Sequence, residues 1–245
     1  MTIAEKIKLE NLTKQYYKIA LSHVDSSTQL TEKQKQALSS LIINEQAELP
    51  GYEERKIKFG KFENREFVVM MTDIRDSTSI INGPNGLVNM FLIFYVYAGI
   101  VAHIVDKHKG TATEFLGDGV LNLFGVKELG LDDALVNSMT AAREIMYARQ
   151  HILNPFFLEN DLPLINMGIG IDHGVTIVTH FGYKYDTDLK AFGTCAYNAS
   201  KLSKAFNQIH VSENSRAIWP IRVGGTLSFG MLNFVDNNPG YPVID

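Results

Sequence analysis

Two carboxylates stand where this sequence could bind metal ions. Asp73 follows residues 67–72, an apolar run that predicts a buried β-strand ending at the acidic residue. Asp118 lies between Gly117 and Gly119 and between two further apolar runs, and Asp118-Gly119 predicts the tip of a β-hairpin with a type I′ turn. If the strand and the hairpin are neighbours, the two carboxylates can share two divalent cations about 3.5–4 Å apart.

An acidic residue at a hairpin tip usually serves only to form the turn. Asp73, at the end of a strand, favours a metal site because the residues that follow it are suited to binding phosphate. Ser77 and Thr78 predict the start of a helix soon after Asp73. A helix N-terminus can hold a phosphate beside a cation, so the pattern indicates a site for a metal-bound phosphate ligand.

The composition limits the classes of protein to consider. The chain has 245 residues, a formal net charge of −4 and 45% hydrophobic residues. The negative net charge argues against a broad basic surface that could bind nucleic acid, so we expect no nucleic-acid partner. The single cysteine, Cys195, excludes an intrachain disulfide and suits a reducing compartment, so we expect a cytoplasmic protein.

Residues 1–62 are expected to form an N-terminal helical arm, separate from a domain of residues 63–245. Apolar residues recur at helical spacing over residues 4–20. The capping-box pattern of residues 31–34 predicts a second helix that continues to about residue 48. We expect this arm to cover the core of the other domain or to dimerise.

Residues 87–105 contain no Asp, Glu, Lys or Arg and approach the length of a membrane-spanning helix, about 20 residues. The stretch includes Asn89, Gly99 and His103 and lies between two predicted strands. We therefore expect a long helix buried against a sheet, and no membrane association.

Residues 63–245 predict an α+β sandwich. We expect Asp172 and His173 to lie in a turn between two strands. The order of elements predicts a mixed β-sheet with helices packed on one face. The expected elements are the strand ending at Asp73, the long helix to about residue 109, the hairpin, a helix over 131–151, strands over 164–170 and 175–181, a helix over 194–207 and a strand over 209–212.

Residues 65–215 resemble the catalytic domains of class III nucleotide cyclases, the adenylate and guanylate cyclases. Residues 104–125 (IVDKHKGTATEFLGDGVLNLFG) are similar to the characteristic sequence of that family. Residues 168–182 (GIGIDHGVTIVTHFG) resemble its next pair of strands, and residues 193–202 (GTCAYNASKL) resemble its helix Gly-x-x-Val-Asn-x-Ala-x-Arg-Leu. With the strand that ends at Asp73, the motifs follow the family's order. The resemblance implies a ferredoxin-like, palm-type sheet.

The resemblance also implies a reaction, in which the ribose 3′-oxygen of a nucleoside triphosphate attacks the α-phosphate and releases pyrophosphate. Asp73, the Ile74 carbonyl and Asp118 would bind two divalent cations, Mg²⁺ or Mn²⁺. Members of the family are dimers with shared sites, in which the metal carboxylates come from one subunit and the transition-state residues from the other. One chain that carries both sets of residues implies a homodimer.

The phosphate-binding segment departs from the family at one position. By resemblance, the backbone N–H groups of Arg75, Asp76, Ser77 and Thr78 would hold the phosphates. The family usually has Gly where this chain has Asp76. The extra carboxylate would lie near the phosphates, and a metal ion or Arg75 would have to offset its charge.

The transition-state residues also depart from the family, which has Asn and Arg four positions apart. By strict spacing these positions are Tyr197 and Lys201, whereas a shift of one residue offers Asn198, three positions from Lys201. Lys201 can place a positive charge on the reacting phosphoryl group, without the forked geometry of Arg. Whether Tyr197 or Asn198 positions the ribose stays open at this point.

Base selection in the family depends on two positions, which here are Glu114 and Lys190. A carboxylate can accept from guanine or uracil and a lysine can donate to a keto oxygen of either base, so the pair leaves G, U, C and A open. Tyr197, Phe192 and Phe115 are expected to crowd the base pocket, which favours a pyrimidine. The chain resembles the Pycsar pyrimidine cyclases of bacterial antiphage signalling, which activate a separate effector. We favour UTP, then CTP. The alternatives are a guanylate or adenylate cyclase, and a cyclase domain that has lost catalysis and only binds nucleotide.

Overall fold

The central strand of this protein is the apolar run that ends at Asp73. The structure, a computed structural model, describes residues 1–24, 31, 34, 62–183, 186–221 and 227–244. Its helices are α1 (Ile3–Ser22), α2 (Ser77–Ile81), α3 (Gly86–Lys107), α4 (Val126–Leu129), α5 (Leu131–Ala148), a π-helix (Arg149–Leu153), α6 (Asn154–Glu159), α7 (Thr194–Leu202) and α8 (Glu213–Ala217). Its strands are β1 (Phe62–Arg75), β2 (Thr111–Leu116), β3 (Gly119–Gly125), β4 (Asn166–Tyr183), β5 (Asp186–Phe192), β6 (Ile209–Ser212), β7 (Ser228–Phe229), β8 (Asn233–Val235) and β9 (Asn238–Ile244).

The strands form a mixed sheet in the order β2-β3-β1-β4-β6-β9-β7. Strand β1 is antiparallel to both β3 and β4, and β4 is parallel to β6. Asp73 therefore has a strand on each side, with Gly119 opposite it in β3 and Gly168 opposite it in β4. The predicted mixed α+β fold is confirmed.

Alternate side chains of β1 enter two separate apolar layers, as a strand buried on both faces requires. Val68 and Met70 pack with α3 and α5 in the main core. Val69 and Met71 point to the other face and pack against residues of α7. The main helical layer therefore covers one face of the sheet, while α7 covers part of the opposite face.

Helix α1 packs on α3 and contributes to the main core through Tyr16, Tyr17 and Leu21. The close approach depends on Gly99, because a Cβ atom there would lie 2.6 Å from the Tyr16 ring. Thr31 and Gln34 make the two reciprocal hydrogen bonds of the predicted capping box, at 2.9 and 3.2 Å. The rest of the predicted second helix lies outside the described residues, and the division at residue 62 stays a prediction.

The long apolar helix predicted over residues 87–105 is present as α3. It is long and apolar enough to cross a membrane by length and composition, but 67% of its most apolar window is buried inside the protein. Leu92, Val96 and Val101 are fully buried in the main core. These contacts explain its composition as that of a core helix.

Three expectations about the elements are wrong in detail. Strand β4 continues through Asp172 and His173 without a turn, because it pairs with β1 along 14 consecutive residues. Helix α7 ends at Leu202, because the chain must turn back to lay β6 beside β4; Asn207 has φ 53° in that turn. In the β2–β3 hairpin the positive φ, 61°, falls on Gly117, which fits a type II′ turn with Gly117-Asp118 at its centre.

Candidate active site

Asp73 and Asp118 are neighbours, as their sequence contexts predict. Asp73 pairs with Gly119, the residue after Asp118, and the Ile74 amide donates to the Asp118 carbonyl oxygen at 3.3 Å. A Cβ atom on Gly119 would lie 3.4 Å from Asp73 Oδ1 and closer still to Met71. The glycine at this position therefore leaves room beside the Asp73 carboxylate.

The electrostatic environment of Asp73 is that of a carboxylate near a second negative charge. Burial, and next the charge of Asp118, raise the pKa of Asp73 to about 6. Arg75 Nη1 lies 3.1 Å from Asp73 Oδ2, and Arg75 and Lys204 both act to lower the pKa. The net shift is upward, so Arg75 and Lys204 offset only part of the effect of burial and of the Asp118 charge, and a further cation beside Asp73 would stabilise its ionised form.

The two carboxylates fit a site for Mg²⁺ or Mn²⁺ that the substrate completes. Within the described residues, no group of three or more His, Cys, Asp or Glu side chains converges. Mg²⁺ is commonly bound by one or two carboxylates together with substrate phosphates and water. Two hard oxygen ligands at a strand end and a hairpin turn therefore suit a nucleotide-bound cation.

A buried pair, Tyr97 and Thr72, joins the strands that carry the carboxylates to helix α3. Tyr97 Oη donates to Thr72 Oγ1 at 2.6 Å, and Thr72 Oγ1 donates to the Val120 carbonyl oxygen at 3.4 Å. Thr72 precedes Asp73 in β1, and Val120 lies two residues after Asp118. This contact is not predictable from the sequence, in which the only signal is one threonine within an apolar run.

Asp76 begins helix α2 in the left-handed conformation, with φ 59° and ψ 26°. This conformation accounts for the Gly that the family has at this position, because only Gly adopts it without strain. Asp is among the residues that tolerate it best. The departure at Asp76 is therefore compatible with the backbone of the predicted phosphate-binding segment, Arg75 to Thr78.

Replacing Asp76 by Gly should preserve or increase the free energy of unfolding, by up to about 1 kcal/mol, whereas Asp76→Ala should lower it by a similar amount. The reason is the left-handed φ, which disfavours a side chain without a local polar group. Urea unfolding measures both variants. Lys109→Gly, at an exposed residue with φ 62°, is the matched control for a left-handed position elsewhere. Equal stability of the Asp76 variants to Gly and Ala would contradict this account.

Tyr197 and Lys201 lie together on the exposed side of α7. The Lys201 ammonium is 5.5 Å from the centre of the Tyr197 ring, and 58% of Tyr197 is exposed. Lys201 Nζ also lies 2.7 Å from Asp236 Oδ2, in the turn between β8 and β9. This ion pair raises the pKa of Lys201 and lowers that of Asp236. Lys201 is thus a fixed positive charge, and Asp236 was not anticipated from the sequence.

Asn198 is engaged elsewhere. Its Nδ2 donates to Asp172 Oδ2 at 2.8 Å. Asp172 is only 1% exposed and also accepts from Ser212 and Ser215 Oγ and from the His173 amide. The prediction of a turn at Asp172 is wrong; the carboxylate is a buried acceptor that ties α7 to β4, β6 and α8. Of the two candidates beside Lys201, Tyr197 is the one that shares its face.

Glu114 and Lys190, the predicted base-selecting pair, contact each other across β2 and β5. Lys190 Nζ lies 3.2 Å from Glu114 Oε2, and the Ala191 amide donates to Glu114 Oε1 at 2.7 Å. The Glu114 side chain is 7% exposed and that of Lys190 is 31% exposed. The lysine is therefore the more accessible member, and the glutamate is held by two intrachain donors. Phe192, two residues beyond Lys190, is exposed at the end of β5.

Phe115 does not belong to this group. It pairs with Val120, a residue of the main core, whereas Glu114 pairs with Leu121 on the opposite face. Phe115 makes an edge-to-face contact with Phe94 of α3 at 6.5 Å. The expectation that Phe115 crowds the base pocket is wrong, because successive residues of a strand point to opposite faces.

No family model matches the chain. An uncharacterized protein of Mycobacterium tuberculosis is 26% identical over 171 residues, which are 65% of this chain and 30% of that protein. The chain thus spans about a third of the length of this curated relative. A cytidylate cyclase of Staphylococcus aureus is 41% identical over 58 residues, 24% of this chain and 14% of that protein.

Solved structures of nucleotide cyclases share the architecture. The guanylyl cyclase Cya2 superposes with a TM-score of 0.60 and 26% identity, over 74% of this chain and 92% of that one. The adenylyl cyclase CyaB from P. aeruginosa superposes with a TM-score of 0.62 and 20% identity, over 76% of this chain and 96% of that one. The chain has the fold of a class III nucleotide cyclase catalytic domain, a fold that supports nucleotide cyclase activity.

Proposed function

We propose that this protein is a metal-dependent nucleotide cyclase that converts a pyrimidine nucleoside triphosphate, UTP in preference to CTP, to its 3′,5′-cyclic nucleotide and pyrophosphate. The observation that carries the proposal is the adjacent Asp73 and Asp118 pair within a cyclase fold. Lys201 and Tyr197 on one exposed face of α7 supply the second half of a reaction centre.

Each residue has a role that its environment supports. Asp73 and Asp118, with the Ile74 carbonyl, would hold two Mg²⁺ or Mn²⁺ ions beside the triphosphate. When bound there, such ions would supply acidification of the ribose 3′-hydroxyl and neutralisation of phosphate charge. Lys201 donates to the α-phosphoryl oxygens as negative charge develops, and Tyr197 contacts the ribose.

The protein would act as a homodimer with two shared sites, each combining the carboxylates of one subunit with Lys201 of the other. Large apolar side chains are exposed along β4, β5 and α7, among them Val175, Ile177, Phe192 and Tyr197. Ile177 and Phe192 pair in register across β4 and β5. An apolar surface of this kind is typical of a subunit interface.

The base preference rests on Lys190 and Glu114. Lys190 is accessible and can donate to the keto oxygen of uracil, while Glu114 can accept from uracil N3–H. Cytosine is the second candidate: Lys190 can donate to its ring acceptors and Glu114 can accept from its amino group. The local similarity to a protein named cytidylate cyclase favours keeping CTP in the test.

The deciding experiment incubates the protein with UTP, CTP, GTP or ATP and Mn²⁺, and separates the products by mass. We expect cyclic UMP, with less cyclic CMP. Product from GTP or ATP alone would leave a cyclase and overturn the pyrimidine assignment. A folded dimer that forms no cyclic product from any of the four would support the second candidate function, a nucleotide-binding domain without catalysis. The Lys201–Asp236 ion pair favours that alternative, because it occupies the lysine before substrate binds.

Lys190→Met should lower kcat/KM for UTP about 10- to 100-fold, the effect of losing one charge-assisted hydrogen bond to the base. Activity on the four nucleotides should become more equal, because the donor that selects a keto group is gone. The measurement is kcat/KM for each nucleotide. Lys127→Met, at an exposed lysine of α4, is the matched control. An unchanged preference for UTP over CTP and GTP would contradict the role of Lys190.

The proposed biological setting follows from the substrate. A cyclic pyrimidine nucleotide made by a cytoplasmic enzyme would be a second messenger of bacterial antiphage defence, read by a separate effector that binds it. Production of cyclic UMP only after infection, in a host that carries the gene, would support this setting.

A further inference from the structure

A pocket lies on the helical side of the protein, lined by side chains with no role in the proposed reaction. It has a volume of about 500 Å³, within the range of small-ligand sites, about 300–1,000 Å³. Its walls include Arg143, Tyr147, Arg149 and His151 from α5 and the π-helix, and Asn207 from the turn before β6.

The π-helix Arg149–Leu153 contributes side chains that line the pocket, among them Arg149 and His151. It joins α5 to α6 without a break. Single π-helical turns are rare and occur frequently at functional sites, because the extra residue per turn changes which side chains face outward. Here the π-turn supplies Arg149 and His151 to the same pocket as Arg143 and Tyr147 of α5.

The chemistry of the pocket suits an anion with an aromatic ring. Arg149 is half-buried, its Nη1 donates to the Ile165 carbonyl oxygen at 3.4 Å, and no carboxylate of the described residues forms an ion pair with it. A half-buried guanidinium without a counter-charge favours binding of an anion. Glu144, the acidic residue of the pocket, is already paired with Lys107 at 2.9 Å and His108 at 2.8 Å.

Tyr147 and His151 provide an aromatic surface beside the arginines. Their ring centres are 4.3 Å apart and their planes differ by 39°, and Tyr147 is 40% exposed. Stacked rings of this kind bind a planar base through its face. Together with Arg143 and Arg149 they form the two halves of a nucleotide-sized site, one for a ring and one for a phosphate.

The pocket also touches the segment that joins the two halves of the candidate active site. Asn207 Oδ1 accepts from the Met167 amide at 3.1 Å, and Asn207 Nδ2 donates to Asn166 Oδ1 at 2.8 Å. Asn166 pairs with Arg75 at the end of β1. The turn that contains Asn207 follows α7, which carries Lys201. A ligand against Asn207 would therefore contact the connection between α7 and the strand of Asp73.

We propose that this pocket is an effector site for a nucleoside monophosphate, with the phosphate on Arg149 and Arg143 and the base on Tyr147 and His151. The binding part of the proposal does not depend on the proposed cyclase activity. The regulatory part, a change in turnover on binding, rests on it.

The test uses calorimetric titration of the full chain with AMP, adenosine and inorganic phosphate in EDTA, which withholds divalent cations from Asp73 and Asp118. We expect AMP to bind more tightly than either fragment. Arg149→Gln should weaken AMP binding about tenfold or more, and Tyr147→Ser should weaken AMP but not phosphate binding. Asp73→Asn should leave AMP binding unchanged.

Absence of saturable AMP binding would overturn the proposal. Loss of AMP binding in Asp73→Asn, with binding retained in Arg149→Gln, would also overturn it, because this second result would assign AMP to the active site. Because Arg149→Gln removes the contact with Ile165, thermal unfolding checks that the variant is folded, and the exposed Tyr147 gives an independent variant. AMP that binds but leaves cyclase turnover unchanged overturns the regulatory part. A protein that binds AMP through Arg149 but forms no cyclic product supports the site and overturns the proposed function, which separates the two.

Discussion

Asp73→Asn should lower nucleotide turnover about 10³-fold or more and, at the same time, stabilise the protein without metal at neutral pH. Loss of one of the two proposed metal ligands would remove several kcal/mol of charge stabilisation in the transition state. The gain in stability has the opposite origin. An ionised Asp73 in the metal-free protein is half-buried beside Asp118, which is why its pKa rises to about 6.

The sign of the stability effect follows from proton linkage. The pKa of Asp73 is higher in the folded state than its ordinary value of 3.8. Between about pH 4 and pH 6, Asp73 is therefore protonated in the folded state and ionised in the unfolded state. The carboxylate therefore opposes folding above pH 6, and this penalty disappears as the pH falls from 6 towards 4. After allowance for solvent screening and for the ion pair with Arg75, Asp73→Asn should raise the free energy of unfolding by about 1–2 kcal/mol at pH 7.

Thermal unfolding in EDTA at pH 5 and pH 7.5, with turnover measured in Mn²⁺, checks both effects. The difference in Tm between Asp73→Asn and the parent should be larger at pH 7.5. Mn²⁺ should raise the Tm of the parent protein and leave that of the variant nearly unchanged. Asp106→Asn, an exposed carboxylate of α3, is the matched control. Turnover retained by Asp73→Asn, or equal stabilisation of both proteins by Mn²⁺, would contradict the assignment of Asp73 as a metal ligand.

Lys201→Met should lower kcat about 10²- to 10³-fold with a smaller change in KM. The ammonium is expected to act on charge that develops only in the transition state, and loss of one such donor commonly has this effect. Lys201→Arg should retain much of the activity, because it keeps the charge and adds a forked donor. Steady-state kinetics with UTP and Mn²⁺ measure both variants.

Asn198→Ala is the contrasting variant on the same helix. It leaves one oxygen of the buried Asp172 without its amide donor, so it should lower the free energy of unfolding by about 1–3 kcal/mol while kcat falls much less than in Lys201→Met. The reverse pattern, a large fall in kcat for Asn198→Ala and a small one for Lys201→Met, would assign the transition-state role to Asn198. Urea unfolding and the same kinetic assay distinguish the two outcomes.

The elements around Asp73 and Asp118 were predictable because their signals are local. The apolar run before Asp73, the Gly-rich hairpin around Asp118 and the apolar helix α3 each have periodicity and turn residues that determine their structure over a few positions. The position of the turn within the hairpin was off by one residue, since Gly117 and Gly119 both suit a positive φ and only strand register selects Gly117.

The contacts between distant segments could not be read in the same way. Asp172 sits in a Gly-rich stretch that suggested a turn, yet it is buried in β4 because β1 supplies pairing partners along its whole length. Its carboxylate oxygens accept hydrogen bonds from side chains of α7 and α8, which lie 26 and 43 positions further along the chain. Asp236, which pairs with Lys201, lies 35 residues beyond it. Such pairs leave no periodic pattern in the sequence.

The sequence by itself determined the chemistry that is available: two carboxylates in strand and hairpin contexts, a lysine and a tyrosine four residues apart on a helix, and an apolar core helix. The tertiary structure alone decided which of these groups lie together. It turned Asn198 towards Asp172 and left Tyr197 beside Lys201, and it separated Phe115 from Glu114. The physical reason is that helix and strand periods determine which way a side chain points relative to its own backbone, whereas packing and strand register determine what it meets.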